Sequence, residues 1–157
     1  KYDNFIILRT LSKYYGLAGL RVGYIIADKK KITYLSKFRG GYEINSPTME
    51  ITKNIIKNKK FFKEKKDELE KAKKFAVNEF KKNNIKVRSF GNANYLCVSV
   101  SKEKNVEKIA NYFLKNKIVI KYNLPSPFKD CILFTLSNLI DVKKVLKIFF
   151  LIYNRVN

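Results

Sequence analysis

Histidine is absent from the 157 residues, and the only two cysteines, Cys97 and Cys131, are far apart in sequence. Without histidine and without Cys-x-x-Cys spacing there is no metal-ligand pattern, so a zinc or other structural metal site is not expected. Each cysteine sits inside an apolar strand-like run, Leu96-Cys97-Val98 and Cys131-Ile132-Leu133. That placement reads as buried free thiols in a reducing cytoplasm. Long apolar runs are missing too. The longest candidates are strand-sized or belong to amphipathic helices, which argues against a membrane role. The sequence opens on Lys1-Tyr2-Asp3, without an initiator methionine and without a targeting segment. Acidic residues are scarce, 13 against 34 Lys and Arg, giving a net charge of +21. Such a charge ordinarily points to nucleic acid or an acidic surface. Here, however, only five of the cations are arginine, and the lysines are spread along nearly every predicted helix. Lys, Asn and Ile together supply 62 of 157 residues, as A- and T-rich coding would produce. The aromatic residues fall at core periodicity and are not interleaved with arginine. No nucleic-acid partner is expected. The 46% hydrophobic content is enough for a real core, in one domain or two small ones.

Glycine is also scarce, and three of the six, Gly16, Gly19 and Gly23, fall in one stretch, NFIILRTLSKYYGLAGLRVGYIIA, residues 4–27. It reads as an apolar strand over residues 5–8, a polar turn with Thr10, Ser12 and Lys13, a glycine-rich segment, Arg21, and a second apolar strand over 22–27. A lysine where a strand ends can form an imine with an aldehyde, and burial beside another cation favours its neutral amine. An arginine offers a rigid fork of donors suited to phosphate, and the hydroxyls of Thr10 and Ser12 can donate to the same anion. Glycine lets the backbone pass close to a ligand.

Ser12-Lys13 followed by Gly16-Leu17-Ala18-Gly19-Leu20-Arg21-Val22-Gly23-Tyr24 resembles the lysine motif of the class I and II, fold-type-I aminotransferases that use pyridoxal 5'-phosphate, and most of all their histidinol-phosphate aminotransferase branch. The resemblance implies that Lys13 is the catalytic Schiff-base lysine and that Thr10, Ser12 and Arg21 bind the cofactor phosphate. It implies an α/β fold: part of a large domain built on a mixed sheet flanked by helices, over residues 1–60, then a linking helix and a small α+β domain over 61–157. It covers roughly the second half of the family's length, so the chain reads as a piece of a longer protein. The implied activity is transfer of an amino group between an amino acid and a keto or phosphorylated small substrate. The implied partners are a small-molecule donor and acceptor, and a second subunit in a homodimer. A decarboxylase of the same fold, an inactive remnant and a basic binding protein are the alternatives.

The rest of the chain follows the same order of elements. Residues 29–38 read as a short basic helix. After Gly40-Gly41, Ser46-Pro47 reads as a helix start, with Ser46 as N-cap and the helix running to about Lys57. Tyr42-Glu43-Ile44-Asn45-Ser46 resembles, weakly, a segment that in some relatives crosses near the partner subunit's site. A long helix is expected over 59–83, with Phe61, Phe62, Leu69, Ala72, Phe75, Ala76 and Phe80 on one stripe. Strands are expected at 86–88, 95–100, 118–120 and 131–136, and helices at 106–115 and 140–153. Asn94-Tyr95 resembles the family's Asn-aromatic entry into the small-domain sheet. Pro125 and Pro127 mark a loop before the last strand.

One position departs from the family. The resemblance implies an arginine on the last strand, in an Arg-apolar-Thr-x-Gly pattern, that clamps the substrate carboxylate. The run here is Leu133-Phe134-Thr135-Leu136-Ser137. Leucine supplies none of a charged bidentate contact, worth about 1.5–3 kcal/mol. Lys121 or Lys129 nearby would not reproduce the fork. The substrate-binding residues therefore stay open.

Overall fold

The computed structural model describes residues 4–13, 15–91 and 93–157. The chain divides into two compact units, Lys1–Lys65 and Lys66–Asn157.

The first unit holds two strands, β1 (Ile6–Thr10) and β2 (Gly23–Ala27), paired antiparallel with Ile6 opposite Ala27 and Thr10 opposite Gly23. Two helices follow, α1 (Lys29–Ser36) and α2 (Ser46–Lys57). Each begins on a side chain that accepts an orphan N–H. Asp28 caps α1 through Lys31 N at 3.1 Å and holds Lys31 Nζ at 2.7 Å. Asn45, not the expected Ser46, caps α2 by accepting from Thr48 N at 2.8 Å. Ser46 and Pro47 already lie inside its first turn, where a missing proline N–H costs nothing.

The second unit is a three-stranded antiparallel sheet of β3 (Val87–Ser89), β4 (Tyr95–Ser99) and β5 (Cys131–Thr135), in the order β3-β4-β5. Its helices are α3 (Lys59–Lys82), inside which the division between units falls, α4 (Glu103–Lys115) and α5 (Leu139–Val156). Successive strand residues alternate in face. Leu96, Val98, Ile132 and Phe134, all 5% exposed or less, form one face with the fully buried Phe80, Phe113 and Phe149 of the three helices. Phe134 is the hub, its ring centroid 5.8, 5.6 and 5.5 Å from those of Phe80, Phe113 and Phe149. Asn84, in the left-handed region at φ 56°, ends α3. Among the described residues, no helix is long and apolar enough to cross a membrane.

Residues 118–120 do not form the expected strand. Only Lys121 makes a bridge, its carbonyl accepting from Leu133 N at 2.8 Å, and residues 118–120 have no strand partner along their length. Lys73 was not singled out by sequence. It is 7% exposed, and its ammonium donates to the carbonyls of Gly91 and Ala93, tying α3 to the turn that leads into β4.

Two outcomes are expected. Lys73→Met keeps the stem but leaves two carbonyls without their donor, and should lower stability by about 1–3 kcal/mol in urea unfolding. An unchanged midpoint would show that water replaces the ammonium at no cost. In hydrogen exchange on the 157-residue chain, amides of β4, β5 and α4 should be far better protected than those of β1 and β2, whose Ile6, Leu8 and Ile26 are 47, 74 and 50% exposed. Equal protection of the two sheets would contradict that order.

Candidate functional site

The β1–β2 ladder does not stop at Thr10 and Gly23. One step further, Leu11 N–H donates to the Val22 carbonyl at 3.1 Å, which closes the intervening residues into a loop. Leu11 and Val22, 2% and 8% exposed, are the buried hydrophobic residues of the first unit among those described. Thr10, the last residue of β1, is exposed, and Ser12 is half-buried. Gly23 allows the close pairing, since a Cβ there would stand 3.0 Å from the Arg9 carbonyl.

Inside the loop the backbone folds on itself. Gly16 N–H donates to Lys13 O at 3.0 Å with Gly16 at φ 67°, a conformation that suits glycine. Leu17 N–H returns to Leu11 O at 3.0 Å, and a single 3-10 turn, Ala18–Leu20, carries the chain to Arg21. The Tyr15 ring packs edge-on against Phe62 at 4.7 Å, anchoring the loop to the start of α3.

The expected site residues are therefore brought to one end of the hairpin. Thr10 and Ser12 lie at the end of β1, Lys13 follows, and Arg21 immediately precedes Val22. Thr10 Oγ1 accepts from Ser12 N at 3.1 Å, which leaves its own hydroxyl hydrogen to donate. Arg21 spends one guanidinium N–H on Ala18 O at 3.2 Å, and the rest of the fork has no partner among the described residues. Lys13 is exposed and makes no ion pair among them. This set of an amine, two hydroxyls and a guanidinium fork fits a phosphorylated aldehyde. The strand leading to Lys13 is not buried as expected, because the two-stranded ladder has no further strand to cover its faces. The buried Leu11–Val22 pair and the Tyr15–Phe62 contact were not anticipated; the odd–even alternation around Leu11 was the available signal.

Leu133 lies in the second unit, half-buried on β5 opposite Cys97. Lys121 meets it only through the backbone, and Lys129 is exposed.

Arg21 holds φ 53°, the left-handed region, which costs a non-glycine residue about 1–2 kcal/mol. It does so as the C-cap of the 3-10 turn, its N–H donating back to Ala18 O. Arg21→Gly relieves that strain and adds about 0.5–1 kcal/mol of glycine chain entropy, so the melting midpoint should barely move. Affinity for inorganic phosphate at residues 10–21 should fall. A collapse of the midpoint with phosphate binding intact would make Arg21 a structural residue.

The aminotransferase class I and II family matches residues 1–135. The histidinol-phosphate aminotransferase of Methanococcus aeolicus is 33% identical over 124 residues, 77% of this chain and 33% of that protein. That of Buchnera aphidicola subsp. Cinara cedri is 28% identical over 153 residues, 94% of this chain and 42% of that protein. The crystal structure of histidinol-phosphate aminotransferase from Sinorhizobium meliloti in complex with pyridoxal-5'-phosphate superposes with a TM-score of 0.85 at 17% identity, over 99% of this chain and 42% of that one. The chain thus has the fold of the corresponding part of that enzyme and spans less than half the length of these relatives. With the family match extending over well beyond half of its residues, the chain belongs to the aminotransferase class I and II family.

Proposed function

We propose that the hairpin end is the lysine side of a pyridoxal-phosphate site, and that the protein transfers an amino group between an amino acid and a keto or phosphorylated small substrate, as a histidinol-phosphate aminotransferase does. The observation that carries this reading is the ladder closing at Leu11 and Val22, which gathers Thr10, Ser12, Lys13 and Arg21 at one end of a hairpin. Pyridoxal phosphate, when bound, supplies an aldehyde for exchange of amines and a ring that takes up the electrons of the broken bond. Arg21 would face its phosphate with the free part of the guanidinium fork, and the hydroxyls of Thr10 and Ser12 would donate to the same group. Lys13 Nζ would hold the aldehyde and then move the proton at the substrate's α-carbon. Leu133 offers no charge to a substrate carboxylate, so recognition of that group rests on other residues. Assembly as a homodimer belongs to the same proposal.

The test is selective trapping. With limiting pyridoxal phosphate and borohydride, the covalent label should accumulate on Lys13 well above its share among the 29 lysines, and Lys13→Ala should remove that excess. Label spread evenly over the lysines, or concentrated on another one, would overturn the assignment.

A further inference from the structure

A second group of cations lies in the second unit. A cavity of about 370 Å³ opens on the sheet face turned away from Phe80, Phe113 and Phe149. The strand register builds its floor. Ser99 N–H donates to Lys86 O at 3.0 Å, one step beyond the Val87–Val98 pair, so Lys86, Ser99 and Cys131 form one cross-strand row. Arg88 and Cys97 start the next row. Lys86 and Arg88 are thus two residues apart on one strand face, about 7 Å along the chain.

The wall is ordered as well. Phe128 N–H donates to Pro125 O at 2.8 Å and Cys131 N–H to Phe128 O at 3.0 Å, fixing the segment before β5. The Phe128 ring carries the Arg88 guanidinium at 5.3 Å from its centroid, which pre-orients the fork. One carboxylate, Asp130, lines the cavity, and the charge of Lys86 acts on it. It accepts from the Ser99 hydroxyl and from Cys131 Sγ at 3.4 Å. The Ser99 hydrogen bond holds its pKa below the usual value, so it stays ionised at neutral pH. Burial, then the neighbouring Cys97 and Asp130, push the Cys131 thiol up to about 12, so it adds no charge to the floor. Neither Lys86 nor Arg88 forms an ion pair among the described residues. Two cations against one committed carboxylate leave a positive cavity with an aromatic wall.

We propose that this cavity binds a small phosphate monoester, its dianionic phosphate bridging Lys86 and Arg88 and its organic part lying against Phe128. A dianion gains from the charge of both cations, whereas a monocarboxylate carries half that charge. The volume leaves room beyond the phosphate itself. The proposal is independent of the assignment of Lys13.

Nuclear magnetic resonance titration of the 157-residue chain with glycerol phosphate, inorganic phosphate and acetate tests it residue by residue. Saturable shifts are expected at Lys86, Arg88 and Ser99, with glycerol phosphate bound about tenfold more tightly than acetate. Lys86→Gln and Arg88→Gln should each weaken glycerol phosphate about tenfold, while Lys104→Gln, outside the cavity, should not. Lys86 is exposed, so its variant reports on the site even if loss of the Arg88–Phe128 contact disturbs folding. Equal weakening in Lys104→Gln, unsaturable shifts spread over the lysine-rich surface, or acetate bound as tightly as glycerol phosphate would each overturn the proposal.

Discussion

The hydrogen bond from Leu11 N–H to the Val22 carbonyl sets the end of the hairpin that carries Thr10, Ser12, Lys13 and Arg21. Up to Thr10 and Gly23 the two strands are an ordinary antiparallel pair. The additional bond, between the buried Leu11 and Val22, fixes where the ladder ends. A slip of one residue would turn Thr10 and Ser12 toward the buried side and Leu11 toward solvent. The cluster of amine, hydroxyls and guanidinium therefore depends on register more than on any attraction among its members. Lys13 and Arg21 are both cations and would by themselves repel.

Much of this was legible in the residues. The apolar runs at 5–8 and 22–27 locate the strands, and the scarcity of glycine elsewhere marks the segment from Gly16 to Gly23 as a place where backbone geometry is unusual. The 3.6-residue stripe from Leu69 to Phe80 gives α3 and its buried face. Other features depend on contacts between distant residues and leave no local trace. The N-cap of α2 falls on Asn45 where Ser46 and Asn45 are both good caps, and the choice rests on a backbone angle that composition does not encode. The stretch 118–120 has strand-like residues but lacks a partner along its length; Lys121 alone meets Leu133. The left-handed φ of Arg21 follows from the turn before it, not from arginine's own preference.

The three-stranded sheet shows one sequence serving two purposes through a period of two. Leu96, Val98, Ile132 and Phe134 bind the helices into a core around Phe134, and truncating an aromatic in such a core costs about 3–5 kcal/mol. The residues between them, Cys97, Ser99, Cys131 and Leu133, form the opposite face. Cys97 and Cys131 on that face are buried as well, while Ser99 and Leu133 are half-buried, so it is covered less completely than the face against the helices. The leucine at 133, where family resemblance implies an arginine, sits in this row. So do the serine and thiols that border the cationic cavity.

Lysine supplies the last step, because the chain contains 29 of them and composition cannot rank them. Most cover solvated helix faces, where a cation is cheap and its partners are water. Lys73 is buried and has two carbonyls for its ammonium, an arrangement that suits a fixed tie between α3 and the turn before β4. Lys13 is exposed at the end of a strand, beside two hydroxyls in sequence and within a loop closed next to Arg21, with no carboxylate paired to it among the described residues. An amine held by carbonyls is committed to structure. One left without a partner, at a fixed position near donors suited to phosphate, is available to react with an aldehyde. The same side chain thus serves as surface cover, as a tie or, in the role proposed for Lys13, as a nucleophile, according to the backbone that presents it, and the hairpin register sets Lys13 apart from the other lysines.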